Sequence, residues 1–144
     1  MKKIETEILI QAPIDLVWTV LTDFDSYPGW NPFVRSIRGI KSVGEILEVQ
    51  IQPPGGKGMT FRPEVLKFDL EKEFRWKGKL LVRGVFDGEH YFILEKKGEK
   101  ATQLIHGEVF TGILVSLLSG TLTKTGDGFR LMNEAIKAKC EQLT

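Results

Sequence analysis

The sequence predicts an α+β domain in which a strongly curved antiparallel sheet of about seven strands is covered by one long C-terminal helix. Apolar and polar residues alternate with period two over residues 3–11 and again through much of 34–110. The tail instead repeats apolar residues every three or four positions. Strands and helices are therefore segregated along the chain, which argues against a parallel βαβ order. At 144 residues the chain fits one domain, 1–144, with a core of its own.

The elements follow in order. Ile4, Thr6, Ile8 and Ile10 share one face of a half-buried first strand. "APIDLVWTVLTD" places Pro13 in a first helical turn and Ile14, Val17, Trp18 and Leu21 at helical spacing. "FDSYPGWNPF" breaks that helix and has room for one short turn. Val34–Arg38 reads as a short strand, and Ile46–Gln52 as another with Leu47, Val49 and Ile51 on one face. "PPGGKG" is a flexible hairpin that lacks the phosphate-loop pattern. Met59–Phe68 carries Pro63 and so must be an edge strand or bulge there. Phe74, Trp76, Gly78 and Leu80 share a face of the next strand. Phe86–Glu95 and Ala101–Phe110 complete the sheet. In the tail, Leu118, Leu122, Thr125, Phe129, Met132, Ile136, Cys140 and Leu143 form one apolar stripe, interrupted by Gly126 and Gly128.

Composition removes several function classes. Twenty Lys and Arg nearly balance nineteen Asp and Glu, so no basic field points to nucleic acid. The start "MKKIETEILI" lacks the apolar region of a signal peptide, and the run "GILVSLLSGTL" is far shorter than the ~20 residues of a bilayer span. A cytoplasmic protein without stable membrane insertion is expected. The single cysteine, Cys140, reads as a small buried hydrophobe. Nothing in the composition specifies an oligomeric state.

The chemistry-bearing residues concentrate in the last two strands. His106 and Glu108 stand two apart, hence on one face. A three-residue loop, Lys97–Gly98–Glu99, would pair positions summing to 196, so that His90 opposes His106, Phe92 opposes Leu104 and Phe86 opposes Phe110. Gly88 would then oppose Glu108 and leave room beside the carboxylate. A two-residue loop or a bulge would shift this register. The opposite face, with Asp87, Glu89, Glu95 and Gln103, reads as solvent-facing. Several readings of the three polar residues stay open: a polar group that orients a ligand, an acid–base pair of His106 and Glu108, or mutual structural satisfaction. A metal site of His90, His106 and Glu108 is disfavoured because no H-E-x-x-H-type spacing occurs, and no metal or cofactor is expected.

"APIDLVWTVLTDFDSYPGWNPFV", "FDGEHYFILE", "GEVFTGIL" and "GFRLMNEAIKAKCE", taken in this order, resemble the START-like helix-grip superfamily, and within it the polyketide cyclase/dehydrase and lipid-transport group known as SRPBCC. The resemblance runs nearly end to end. It implies a sheet gripping the terminal helix around a deep apolar cavity. The expected function is binding, as carrier or sensor, of a small hydrophobic molecule such as a lipid, isoprenoid or polyketide. Expected ligand-binding residues are His90, His106, Glu108, Phe92, Trp76, Phe110, Trp30, Phe33, Phe61 and Phe129. Alternatives are a cyclase or dehydratase using His106 and Glu108, or a co-chaperone-like interaction module, since a fold does not settle chemistry.

Overall fold

The computed structural model describes residues 1–80, 86–113, 115 and 119–144, and for 80, 86, 119 and 121 the main chain alone. Leu118 and the side chains of Leu80 and Phe86, assigned to apolar faces from the sequence, lie outside the described residues. Strand β1 (Lys2–Ile10) leads to helix α1 (Ile14–Thr22), a 3₁₀ turn (Phe24–Ser26) and the short helix α2 (Tyr27–Trp30). Strands β2 (Val34–Arg38), β3 (Glu48–Ile51), β4 (Met59–Phe61), β5 (Glu64–Asp69), β6 (Glu73–Leu80), β7 (Phe86–Gly98) and β8 (Ala101–Thr111) follow. Helix α3 (Ser119–Gln142) comes last.

The strands form two antiparallel sheets, of order β1-β8-β7-β6-β5 and β2-β3-β4, where the alternation suggested about seven strands in one. Pro63 is the reason. With no N–H and a fixed φ it interrupts Met59–Phe68. The chain leaves the small sheet after Phe61 and joins the edge of the large one at Glu64. The two sheets remain stitched at this corner. Leu47 N–H donates to the Pro63 carbonyl (2.9 Å), Gly44 N–H to Val65 (2.9 Å) and Val65 N–H to Glu45 (2.9 Å).

Alternation places the core where it was expected. Thr6 and Ile10 of β1, Leu47 and Val49, Phe74 and Trp76, and His90, Phe92 and Leu94 all turn inward. Helix α3 lies over β1 and β8 and touches α1, burying Leu122, Phe129, Met132, Ile136 and Cys140. Leu143 falls past its end and is exposed. At Gly128 helix α3 lies close against the loop before β2: a Cβ there would collide with the Phe33 ring, which packs edge-on against Phe129.

The register of β7 and β8 differs from the one derived from a three-residue loop. Paired positions sum to 198, so His90 faces Glu108, Phe92 faces His106 and Gly88 faces Phe110. The turn holds only Glu99 and Lys100, which alone would give a sum of 199 and send the two strands' inward sets to opposite faces. A bulge between Lys96 and Gly98 absorbs one residue and restores the parity. The shift is therefore two residues, and His90, His106 and Glu108 keep their common face.

The outer face is less open than its charges suggest. The Arg75 guanidinium stacks on the Tyr91 ring (4.7 Å) and donates to Glu73 (2.6 Å) and Glu89 (2.7 Å). The Tyr91 hydroxyl donates to Glu5 (2.7 Å). Asp87, read from the sequence as solvent-facing, is buried in a groove walled by Lys77, Lys79 and Glu89.

Candidate functional site

A line of buried polar side chains crosses the interior from helix α3 to a cavity. It begins at Thr6 on β1, opposite His106 on β8. The Thr6 hydroxyl donates to the His106 carbonyl (2.8 Å), which can only accept. Its lone pair is then left for Asn133, whose Nδ2 donates to it (2.8 Å). This fixes the amide with Oδ1 toward His106 Nδ1 (2.9 Å). His106 must therefore carry its proton on Nδ1 and accept at Nε2. His90 Nε2, 2.7 Å away, must be the donor. The remaining His90 nitrogen, Nδ1, lies 3.2 Å from Glu108 Oε1.

Each link thus sets the direction of the next, and at the far end one proton must lie between Glu108 and His90. It sits either on the carboxyl, donating to a neutral imidazole, or on His90, paired with a carboxylate. Burial favours the uncharged arrangement. Desolvation pushes the Glu108 carboxyl up to about 8 and lowers His90 to about 3. His106 is also held well below its usual value, first by burial and then by its proximity to His90. The imidazoles are sandwiched as well: His90 stacks on Trp76 (4.7 Å) and His106 on Phe129 (4.3 Å, 18° between planes).

Glu108 is where this line meets open space. A cavity of about 80 Å³ lies between the two sheets and the start of α3. Its walls include Phe33, Phe61, Trp76, Phe110 and Leu122, and its polar floor is made by His90 and Glu108. Gly78 and Gly88 pair across β6 and β7 and line it side by side. They put no side chains where Trp76 and His90 do, and that deletion opens the floor. A Cβ on residue 88 would collide with Glu108 Oε2. Gly88 therefore makes room for the carboxyl even though its cross-strand partner is Phe110.

Of the ten residues singled out from the sequence, six line the cavity: Phe33, Phe61, Trp76, His90, Glu108 and Phe110. Four do not. His106 is fully buried, with Nε2 engaged by His90 and Nδ1 by Asn133, so it acts only through other residues. Phe92 faces His106 one step deeper, and Phe129 covers that pair from α3. Trp30 packs edge-on against Tyr27 (5.2 Å) in α2, outside the cavity wall. Asn31 is equally structural: its Oδ1 accepts from the N–H groups of Phe33 (3.0 Å) and Val34 (2.9 Å) and turns the chain into β2.

Sequence reading missed Asn133 and the part played by Thr6. The available signal was a polar residue within an apolar set: Thr6 between Ile4 and Ile8, and Asn133 one turn after Phe129. Val49, Ile51 and Leu122, assigned to apolar faces, and Met59, read only as the start of a strand, also line the cavity. Among the described residues, no three His, Cys, Asp or Glu side chains are grouped to hold a metal ion. His90 turns both nitrogens onto neighbours instead of sharing a focus with them. No helix among the described residues is long and apolar enough to cross a membrane.

Comparison with known proteins agrees with this architecture. Solved structures superpose over nearly the whole chain at low identity. A START superfamily protein from Mycobacterium smegmatis shares 17% identity over 99% of each chain, with a TM-score of 0.78. The Zhui aromatase/cyclase from Streptomyces sp. R1128 shares 16% over 98% of this chain and 94% of its own (TM-score 0.75). A hypothetical protein from Helicobacter pylori shares 14% over 96% and 88% (TM-score 0.79). These likenesses establish the helix-grip fold. A search of curated protein sequences finds no significant relative. The family model for polyketide cyclase/dehydrase and lipid transport matches residues 1–141, and the chain belongs to that family.

Proposed function

We propose that this protein binds a small, largely apolar molecule, as carrier or sensor, in the cavity between its two sheets and α3. The observation that carries this reading is the cavity's composition: mostly aromatic and aliphatic walls with a few polar groups, the Glu108 carboxyl and His90 imidazole together with Thr125 and Lys79. Few, placed polar groups in an apolar cleft are the usual make-up of a small-molecule site. The volume, about 80 Å³, suits a compact ligand, with room for a longer chain only if the small sheet moves away from α3. An acid–base pair of His106 and Glu108, the enzymatic alternative, is poorly supported because His106 does not reach the cavity.

The test is native mass spectrometry after incubation with a lipid extract and with a fluorescent fatty-acid analogue. Retained apolar mass, displaced when Phe110→Trp narrows the cavity, supports binding. Complete absence of retained ligand, with no thermal shift from any apolar compound, would sink the reading.

A further inference from the structure

The hydrogen-bond line decides more than that a ligand binds: it decides which polar group the ligand must bring. Glu108 Oε1 is committed to His90 Nδ1 (3.2 Å). The other oxygen, Oε2, reaches over Gly88, on the cavity side, into the space a side chain at that position would fill. The proton shared by Glu108 and His90 lies on the Oε1 side, because Oε1 is the oxygen that faces Nδ1 (3.2 Å). If it is on the carboxyl, Oε2 is the carbonyl oxygen of a neutral acid and accepts. If it has moved to His90, Oε2 is a carboxylate oxygen and accepts again. In both placements the cavity floor offers an acceptor, and this follows from Thr6 donating to the His106 carbonyl (2.8 Å) at the far end of the line.

We propose that the cavity selects apolar alcohols and phenols, whose hydroxyl donates to Glu108 Oε2, over ethers of the same carbon frame and over carboxylates. This rests on the carrier reading above and names the ligand class for that site. An ether brings no donor and leaves an acceptor facing an acceptor. A carboxylate brings only acceptors to that acceptor and must also give up the water around its own charge on entering an apolar cavity, which costs more still. Lys79, which also lines the cavity, is exposed and so is a weak counterion for a ligand beside Glu108.

The experiment uses four probes with one ring system at pH 6.5: naphthalene, 2-naphthalenemethanol, its methyl ether and 2-naphthoate, each titrated calorimetrically into the full chain. The alcohol is expected to bind about tenfold more tightly than the ether, the worth of one buried hydrogen bond, and naphthoate more weakly than either. Glu108→Leu should level alcohol and ether. Glu108→Gln, whose amide can donate to His90 and present its carbonyl to the cavity, should rescue the preference and shows that the loss in Glu108→Leu is not misfolding. If ether or naphthoate binds as tightly as the alcohol, the selection is overturned while the carrier reading stands. If none of the four binds, the selection is overturned, and the carrier reading is decided separately by the lipid-retention test above.

Discussion

One proton shared between Glu108 and His90 gives this interior a definite pH response. The Glu108 carboxyl is raised from 4.5 to about 8, so between those values the folded chain holds a proton that the unfolded chain has released. Stability then falls as pH rises through that window. His90 is lowered from 6.5 to about 3, so between those values the unfolded chain holds the extra proton and stability falls as pH falls. His106, also lowered, acts in the same direction. From pH 4.5 to 6.5 the two histidines outweigh the single carboxyl. Above 6.5 the unfolded histidines lose their protons and the carboxyl dominates, with a slope that stays below the one-proton limit of about 1.4 kcal/mol per pH unit. The contribution of these groups should therefore peak near pH 6.5. Urea unfolding at a series of pH values should show the decline from 6.5 to 8, and Glu108→Gln should flatten it. An unchanged decline in that variant would assign it to other groups.

At the scale of elements, two of the three glycines in α3, Gly126 and Gly128, have different surroundings. Glycine weakens a helix interior by up to ~1 kcal/mol relative to alanine, so replacing either gains that much where there is room. A Cβ on Gly128 would strike the buried Phe33 ring, and overpacking of this kind costs about 1–3 kcal/mol. A Cβ on Gly126 would meet Ile4 Cγ2 at 3.3 Å, which a small shift relieves. Thermal unfolding should place Gly128→Ala well below the parent and Gly126→Ala close to it. The reverse order would mean that α3 does not pass the β2 loop at Gly128. The β7–β8 hairpin is the other informative element. Its inward faces were legible because alternation is local. Its pairing was not, because the bulge at Lys96–Gly98 falls in "KKGEK", where no apolar pattern reports the register.

For the whole molecule, the division into two sheets matters more than the strand total. The large sheet contains strands of thirteen and eleven residues, whereas β3 and β4 have four and three. Short strands around a cavity bury little and open at low free energy. Amide exchange should therefore be faster across Val49–Phe61 than across His90–His106, and an apolar ligand should protect the former selectively. Uniform protection of both sheets would remove the small sheet as the moving wall of the cavity.

The sequence alone determined what depends on near neighbours along the chain. Period-two alternation marked the inward faces, period 3.6 marked the apolar stripe of α3, and Pro63 marked an interruption. Together these assign the α+β class, most of the core, and the common face of His90, His106 and Glu108. Cys140 is fully buried at the end of α3, as its place in the stripe implied. The tertiary structure decided whatever requires distant segments to meet. It sealed His106 between β8 and α3, joined Asn133 to Thr6 across the core, and left Glu108 with one oxygen committed and one over Gly88. The physical reason lies in the two kinds of information involved. Side-chain direction is a property of one strand or helix. Hydrogen-bond direction along a buried chain is set by its last acceptor, here the carbonyl of His106, a hundred residues from the threonine that binds it.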